Sequence, residues 1–548
     1  MELKWWHKAV FYHIYPRSFA DSTNNGIGDL QGIINKLEYL QKLGIDAIWL
    51  SPFFPSPQKD YGYDISDYRS INPEYGSMQD FEELLKNVHS LGIKIILDMV
   101  LNHTSDEHQW FLESRASRTN PKRDWYIWIE GKGKNGKKPP NNWRSIIGGS
   151  AWEWDDQTKQ FYLHQFLPCQ PDLNWRNPEV QEEMLNSMQF WLDKGVDGFR
   201  LDIIHVLFED KYFRNNPHSW RLLPSYNSTA YLFQKPQYTS FLPETIEMCL
   251  RIRKVIDSYT PNRILVGEAW MGGPSIIYPL YGNNNDGLNL VFNFKFMKQR
   301  FSSRKFNETI QETEKILKEP YWPCYVFSNH DEKRMISRYG NNEKKARLMS
   351  LLLLTLRGTP FIYYGEEIGM QQVKIPKKSL KDPIASLKVM GIPIGKFFGR
   401  DGCRTPMQWT PSSKNAGFSS NPSIKPWLPI SIASSSINVL AQENDEKSML
   451  SFFKSIIHLR KSEESLREGI LELDPLKNTK VLVYKRKVDQ EGILVFLNFH
   501  KKAVRIMNPY PTCLVIFSSY DLNLSIKTGK YLVLRPYEGQ LMKFYLHD

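Results

Sequence analysis

Two full charges sit inside the apolar run GFRLDII (198–204), where a buried strand would ordinarily carry none. Strand residues two apart share a face, so Arg200 and Asp202 point one way while Phe199, Leu201 and Ile203 point the other. A buried ion pair would satisfy this pattern without any chemistry. Other apolar runs end in the same manner, however. Glu268 follows ILVG in LVGEAW, His330 and Asp331 close YVFSNHD, His103 closes IILDMVLNH, and Asp64 stands in YGYDISDY after IDAIWLS. Five run ends bearing ionisable groups are what a pocket assembled from strand tips requires.

The reaction follows from which groups are present. No Cys/His set has zinc spacing, no Gly-rich loop could cradle phosphate, and no Ser occupies a nucleophile elbow. Two carboxylates flanking one bond are the requirement of glycoside hydrolysis, one ionised and one protonated near neutral pH. On this reading Arg200 lowers the pKa of Asp202 and keeps it an anionic nucleophile. Glu268, next to Trp270 and other carboxylates, is shifted upward and suits a general acid.

These groups must be positioned by the elements that carry them. Eight short apolar runs (9–15, 45–51, 93–101, 196–204, 263–269, 288–294, 324–330 and 359–365) alternate with amphipathic stretches such as LQGIINKLEYLQKLG (30–44) and MQDFEELLKNVHSLG (78–92). Both of those stretches end in Gly, a helix stop signal. Eight strand–helix alternations predict an α/β fold, a TIM (β/α)8 barrel. The barrel is expected in two parts, 1–103 and 176–470. Residues 104–175, irregular and rich in Trp, Asn, Pro and Lys, read as a small inserted domain after the third strand. From 471 to 548 short alternating runs such as KVLVYKRKV and GILVFLNF predict a C-terminal antiparallel β-sandwich.

In order along the chain, DMVLNH, GFRLDII, GEAW and FSNHD resemble the four signature regions of the α-amylase superfamily, glycoside hydrolase family 13. QPDLNW (170–175), DGCRTPMQW (401–409) and YGYDISDY are similar to its oligo-1,6-glucosidase and α-glucosidase branch. The resemblance implies that Asp202 is the nucleophile, Glu268 the acid/base, and Asp331 the holder of the sugar's 2- and 3-hydroxyls. It further implies that Asp64 and Arg404 grip the non-reducing glucose, with His103, Arg200 and His330 around it and Tyr63 stacked beneath. An exo-acting, retaining α-glucosidase acting on a small oligosaccharide or disaccharide would follow. In this branch a bulky residue after the nucleophile correlates with α-1,6 preference, so Ile203 implies isomaltose-type substrates, unless it merely packs. The α-1,4 maltases, sucrose or trehalose-6-phosphate hydrolases and transglucosylases stay open. The non-catalytic transporter heavy chains of the family need a membrane anchor, and none is read here.

DSTNNGIGD (21–29) resembles the start of a calcium loop, with oxygens from Asp21, Thr23, Asn25, the Ile27 carbonyl and Asp29, and Gly26 at the turning point. A structural Ca2+ or Mg2+ is expected there, with a metal-free Asx turn as the alternative. No organic cofactor is implied. Composition agrees with a soluble enzyme. Of the 548 residues 41% are hydrophobic and 24% charged, and the longest apolar run, LMSLLLLTL (348–356), is too short to span a bilayer. The five cysteines lack disulfide or metal spacing, and no signal peptide is read, so a cytoplasmic location is expected. The formal charge of +12 is concentrated in KGKNGKK (132–138) and KIPKKSLK (374–381), loop segments without a nucleic-acid signature. A monomer or weak homo-oligomer is expected, with neither nucleic acid nor membrane as partner.

Overall fold

Each of the eight apolar runs contains a strand in the computed structural model: Phe11–Ile14 (β1), Ala47–Leu50 (β2), Lys94–Val100 (β3), Gly198–Asp202 (β4), Ile264–Gly267 (β5), Leu290–Val291 (β6), Cys324–Val326 (β7) and Thr359–Tyr363 (β8). The structure describes residues 3–545 except 223–227, 271, 387, 390–391, 394–398, 412–413, 475–478, 509–512, 523–525 and 528. All pairings are parallel, in the order β7-β8-β1-β2-β3-β4-β5-β6. A parallel bridge from Phe292, just past β6, to Cys324 of β7 closes the ring. Every residue of β1, β2, β4 and β8 is buried, because helices cover one face and the barrel interior the other.

The helix Met78–Ser90 starts at a capping box between Ser77 and Asp80 and buries Phe81, Leu84, Leu85 and Val88 along one stripe. The stretch 30–44 reads as one helix in the sequence but forms two, Leu30–Ile34 and Leu37–Leu43. Its halves are held by different neighbours. A Cβ on Gly32 would lie 2.0 Å from the Ala20 carbonyl oxygen, while Gly44 abuts Ile457 of the helix Met449–Ser462.

Between β3 and β4 the chain forms the helix Gln109–Ala116 and a three-stranded antiparallel sheet of Trp128–Ile129, Gln160–Leu163 and Trp152–Asp155. This unit has its own core of Ile127, Trp143, Trp152, Phe161 and Leu163. A bridge from His103 to Asp172 fastens it to the barrel mouth, and one from Tyr126 to Leu173 closes it internally. After the barrel, a six-stranded antiparallel sheet running from Ile470–Leu473 to Gly539–Tyr545 packs with the pair Val504–Met507 and Tyr531–Leu534. Val481, Phe496, Leu534 and Phe544 belong to the core they share. Buried Arg486 joins this domain to the barrel, and buried Arg460, from the barrel's own helix Met449–Ser462, binds beside it. Arg460 donates to the Leu354 and Gly358 carbonyls and Arg486 to that of Thr355, each at 2.8 Å, capping the helix Glu343–Thr355. Among the described residues no helix is long and apolar enough to cross a membrane, and the five cysteines are free.

Candidate active site

Strand register brings the first charges together. Asp98 of β3 lies opposite Arg200 of β4, and Val100 opposite Asp202, while Glu268 leaves the tip of neighbouring β5. The Arg200 guanidinium is fully buried and shared by three carboxylates. Its Nη1 donates to Asp98 Oδ1 at 2.6 Å and to Asp202 Oδ1 at 2.7 Å, and its Nη2 donates to Glu268 Oε2. Glu268 also donates a hydrogen bond to Asp202. Carboxyl groups in such contact are far closer than the roughly 6.5–9.5 Å of an inverting pair.

One cation cannot offset the burial of three anions. Burial raises Asp202 to about 7 and Glu268 to about 8, with Arg200 opposing in both cases and the neighbouring carboxylates adding to the rise. Arg200 lowers Asp202 as expected, but desolvation outweighs the guanidinium and leaves the carboxyl above its usual range. The two carboxyls are raised together and titrate as a pair, so one proton can be shared between them near neutral pH. Asp331 behaves differently. Arg400 Nη1 at 3.1 Å, Arg404 Nη2 at 2.9 Å and His330 Nε2 at 3.0 Å surround it and hold it well below the carboxylate range.

The remaining wall is neutral or paired. Burial lowers His103 and His330 to about 4, so both are uncharged at pH 7. His103 Nε2 lies 3.1 Å from the Tyr63 carbonyl oxygen and 3.1 Å from Gln170 Nε2. The Tyr63 ring stacks on His330 at 5.0 Å, and its hydroxyl donates to Asp98 Oδ2 at 2.9 Å. Asp64 is a correction. Its carboxylate is fully buried and accepts from Ser56 Oγ at 2.8 Å, Lys59 N at 2.8 Å and Asp60 N at 3.0 Å, so it braces its own loop rather than gripping a sugar with Arg404. Asp60, four residues earlier, reaches the pocket instead. It pairs with Arg400 Nη2 at 2.6 Å and accepts from Gln170 Nε2 at 3.2 Å. Arg400 also pairs with Asp382 at 2.8 Å, spanning the loops after β2 and β8.

Residues 13–469 match the family model "Alpha amylase, catalytic domain". The chain belongs to the α-amylase family. It is 39% identical to an oligo-1,6-glucosidase of Parageobacillus thermoglucosidasius, with 100% of both chains covered. It is 41% identical to a probable alpha-glucosidase of Rhizobium meliloti (strain 1021), over 91% of this chain and 90% of that one. Among solved structures, the alpha-glucosyl transfer enzyme XgtA superposes with a TM-score of 0.90 at 38% identity, over 99% of this chain and 100% of that one.

In this α-amylase-family barrel, β4 ends at Asp202 and the next residue turns sharply. Ile203 has φ 38° and ψ 38°, left-handed values that a β-branched residue rarely adopts. It therefore does not continue the strand alternation with Phe199 and Leu201. The strain is located beside Asp202, where neighbouring structure over-determines the turn: Glu268 N donates to Leu201 O at 3.0 Å and Ile204 N to Glu268 O at 3.1 Å.

The 21–29 loop lies apart from this chemistry, against the segment around Ser419. Asp21 accepts from Gly26 N at 2.8 Å, Asn25 Oδ1 from Ile27 N at 2.8 Å, and Asp29 from Ser22 N at 2.9 Å as well as from Gly32 N. Asp21 and Asp29 are both buried, and neither has an ion-pair partner among the described residues. Thr23 Oγ1 stands 3.4 Å from Asp21 Oδ1. The loop offers oxygen atoms only, its two buried carboxylates already accept hydrogen bonds from the loop's own donors, and among the described residues no group of three or more His, Cys, Asp or Glu is placed to hold a metal.

Sequence reasoning missed Asp98, Asp60, Arg400, Asp382 and Gln170. Asp98 carried the signal used for Arg200, a charge set among the apolar residues of IKIILDMVL. Asp60 and Arg400 each stand four residues before the acid or arginine that was chosen, and spacing alone offers no way to rank such pairs.

Proposed function

We propose that the chain is a retaining, exo-acting α-glucosidase that removes the terminal glucose from short α-glucosides, with α-1,6-linked, isomaltose-type substrates preferred. The observation that carries this reading is the Asp202–Arg200–Glu268 cluster, in hydrogen-bond contact and with Asp331 beside it. Asp202 attacks the anomeric carbon as the glycosidic C–O bond breaks, and the Glu268 proton passes to the leaving oxygen. Glu268, now a base, takes a proton from water, whose oxygen displaces Asp202 and leaves glucose with its configuration retained. Asp331 and the two arginines hold the ring hydroxyls, and the Asp60–Arg400 pair bridging two loops supports a pocket closed beyond the terminal sugar. Names of the relatives point the same way.

Assaying isomaltose, maltose, sucrose and trehalose-6-phosphate side by side tests the linkage. Isomaltose is expected to have the highest kcat/KM, and maltose in first place would overturn the α-1,6 preference. A second reading, transfer of glucose to a sugar acceptor in place of water, is supported by the likeness to an alpha-glucosyl transfer enzyme. Disaccharide substrate at high concentration would then yield trisaccharide.

For the 21–29 loop we propose a structural Ca2+ or Mg2+ held by Asp21, Thr23, Asn25, the Ile27 carbonyl and Asp29, neutralising the two buried carboxylates. EDTA should lower Tm and excess Ca2+ restore it. An identical Tm in both would mean a plain Asx turn. The free cysteines support a reducing, cytoplasmic location, testable by cell fractionation, and sedimentation would test the proposal of a monomer or weak homo-oligomer.

A further inference from the structure

Trp220 is 91% exposed, although burying a tryptophan is among the larger single stabilisations available to a fold. It lies on a defined piece of backbone, in the long connection after β4. Segments 217–222 and 231–235 run antiparallel, joined by Ser219 N to Phe233 O at 2.9 Å, Phe233 N to Arg221 O at 2.8 Å and Leu232 N to Leu222 O at 2.8 Å. The His218 ring meets Trp220 edge-on at 4.9 Å.

This two-stranded piece is anchored at both sides of the pocket mouth. On one side Tyr231, buried, sets its ring edge-on against Trp270 at 6.1 Å, and Trp270 is two residues beyond Glu268. On the other side, Asn142 of the inserted domain donates through Nδ2 to the Asn216 carbonyl at 2.9 Å and accepts from Asn216 N at 2.8 Å. Trp143 Nε1 donates to the Arg214 carbonyl at 2.8 Å, and Gln234 Nε2 donates to that of Asn142. The platform is therefore continuous with the strand tip that carries the proton donor.

That direction has a chemical meaning. Glu268 must face the leaving oxygen, so the remainder of a bound oligosaccharide extends from the pocket on the Glu268–Trp270 side. Pyranose rings present a flat C–H face that packs on indole, and a rigid aromatic offers that contact with little loss of side-chain entropy. We propose that the paired segments 217–222 and 231–235, through Trp220, form a stacking site for sugar units of the substrate beyond the leaving-group sugar, selecting oligosaccharides of three or more units. This inference rests on the glucosidase reading above.

The test measures kcat/KM for disaccharide, trisaccharide and tetrasaccharide in both the isomaltose and the maltose series, with the full-length protein and its Trp220→Ala and Trp220→Phe variants. In whichever series the parent turns over, Trp220→Ala is expected to lower the trisaccharide-to-disaccharide ratio by about three- to tenfold. Trp220→Phe, which keeps an aromatic face, should retain most of it. An active parent whose ratio is the same in Trp220→Ala overturns the platform alone. A parent that hydrolyses neither series overturns the glucosidase reading and the platform with it.

Discussion

At the scale of single residues, the chemistry depends on one guanidinium divided among Asp98, Asp202 and Glu268. Because burial lifts Asp202 to about 7 and Glu268 to about 8, only a narrow window has the first ionised and the second protonated. The pH profile of kcat/KM should be a steep bell whose acid limb follows loss of anionic Asp202 and whose alkaline limb follows loss of the Glu268 proton. The two limbs belong to the pair rather than to either carboxyl alone. A rate that is flat across several pH units around neutrality would contradict this arrangement. Asp60 and Asp64, four residues apart, separate just as sharply. Asp60→Ala removes the partner of Arg400 in the pocket and should cut kcat/KM by about 10- to 100-fold with little change in Tm. Asp64→Ala breaks three hydrogen bonds within its own loop and should lower Tm while sparing far more activity. Equal losses of activity in both variants would restore Asp64 to the site.

At the scale of elements, strand tips position the chemistry, and the tips were the part most legible in the sequence. Apolar runs ending in a charge located Asp202, Glu268 and Asp331 because burying a charge on a strand demands a reason. Partners supplied by loops were not legible, since Arg400 and Asp60 meet across 340 positions of sequence. Neither the break in the 30–44 helix nor the left-handed turn at Ile203 could be read, as both depend on neighbours distant in the chain or on strand ends fixed by pairing. That turn offers a clean experiment. Thr and Ile are both β-branched, so Ile203→Thr leaves the backbone strain in place and changes only the side chain presented after Asp202. The isomaltose-to-maltose ratio of kcat/KM is expected to fall by about tenfold. An unchanged ratio would mean that Ile203 only packs.

At the scale of the whole molecule, barrel, inserted domain and C-terminal domain together hold a cluster that opposes their own stability. Arg200 contributes one positive charge to three buried carboxylates, a deficit that the surrounding core must tolerate. A carboxyl whose folded pKa is raised adds stability that is complete below its unfolded value, near the usual 4.5, and is lost as pH climbs through the folded value of about 8. The cost of Glu268 should therefore grow steadily between pH 5 and pH 8.5. Replacing it with Gln removes a titrating group while Arg200 keeps Asp98 and Asp202 as partners. Glu268→Gln is then expected to be nearly inactive yet more heat-stable than the parent, by on the order of 2–5 °C at pH 8.5 and by less at pH 5. Differential scanning calorimetry at the two pH values decides the matter. If the variant were less stable at pH 8.5, the Arg200–Glu268 contact would be a net stabiliser, and the excess negative charge of the pocket would have to be balanced by a cation elsewhere in its wall.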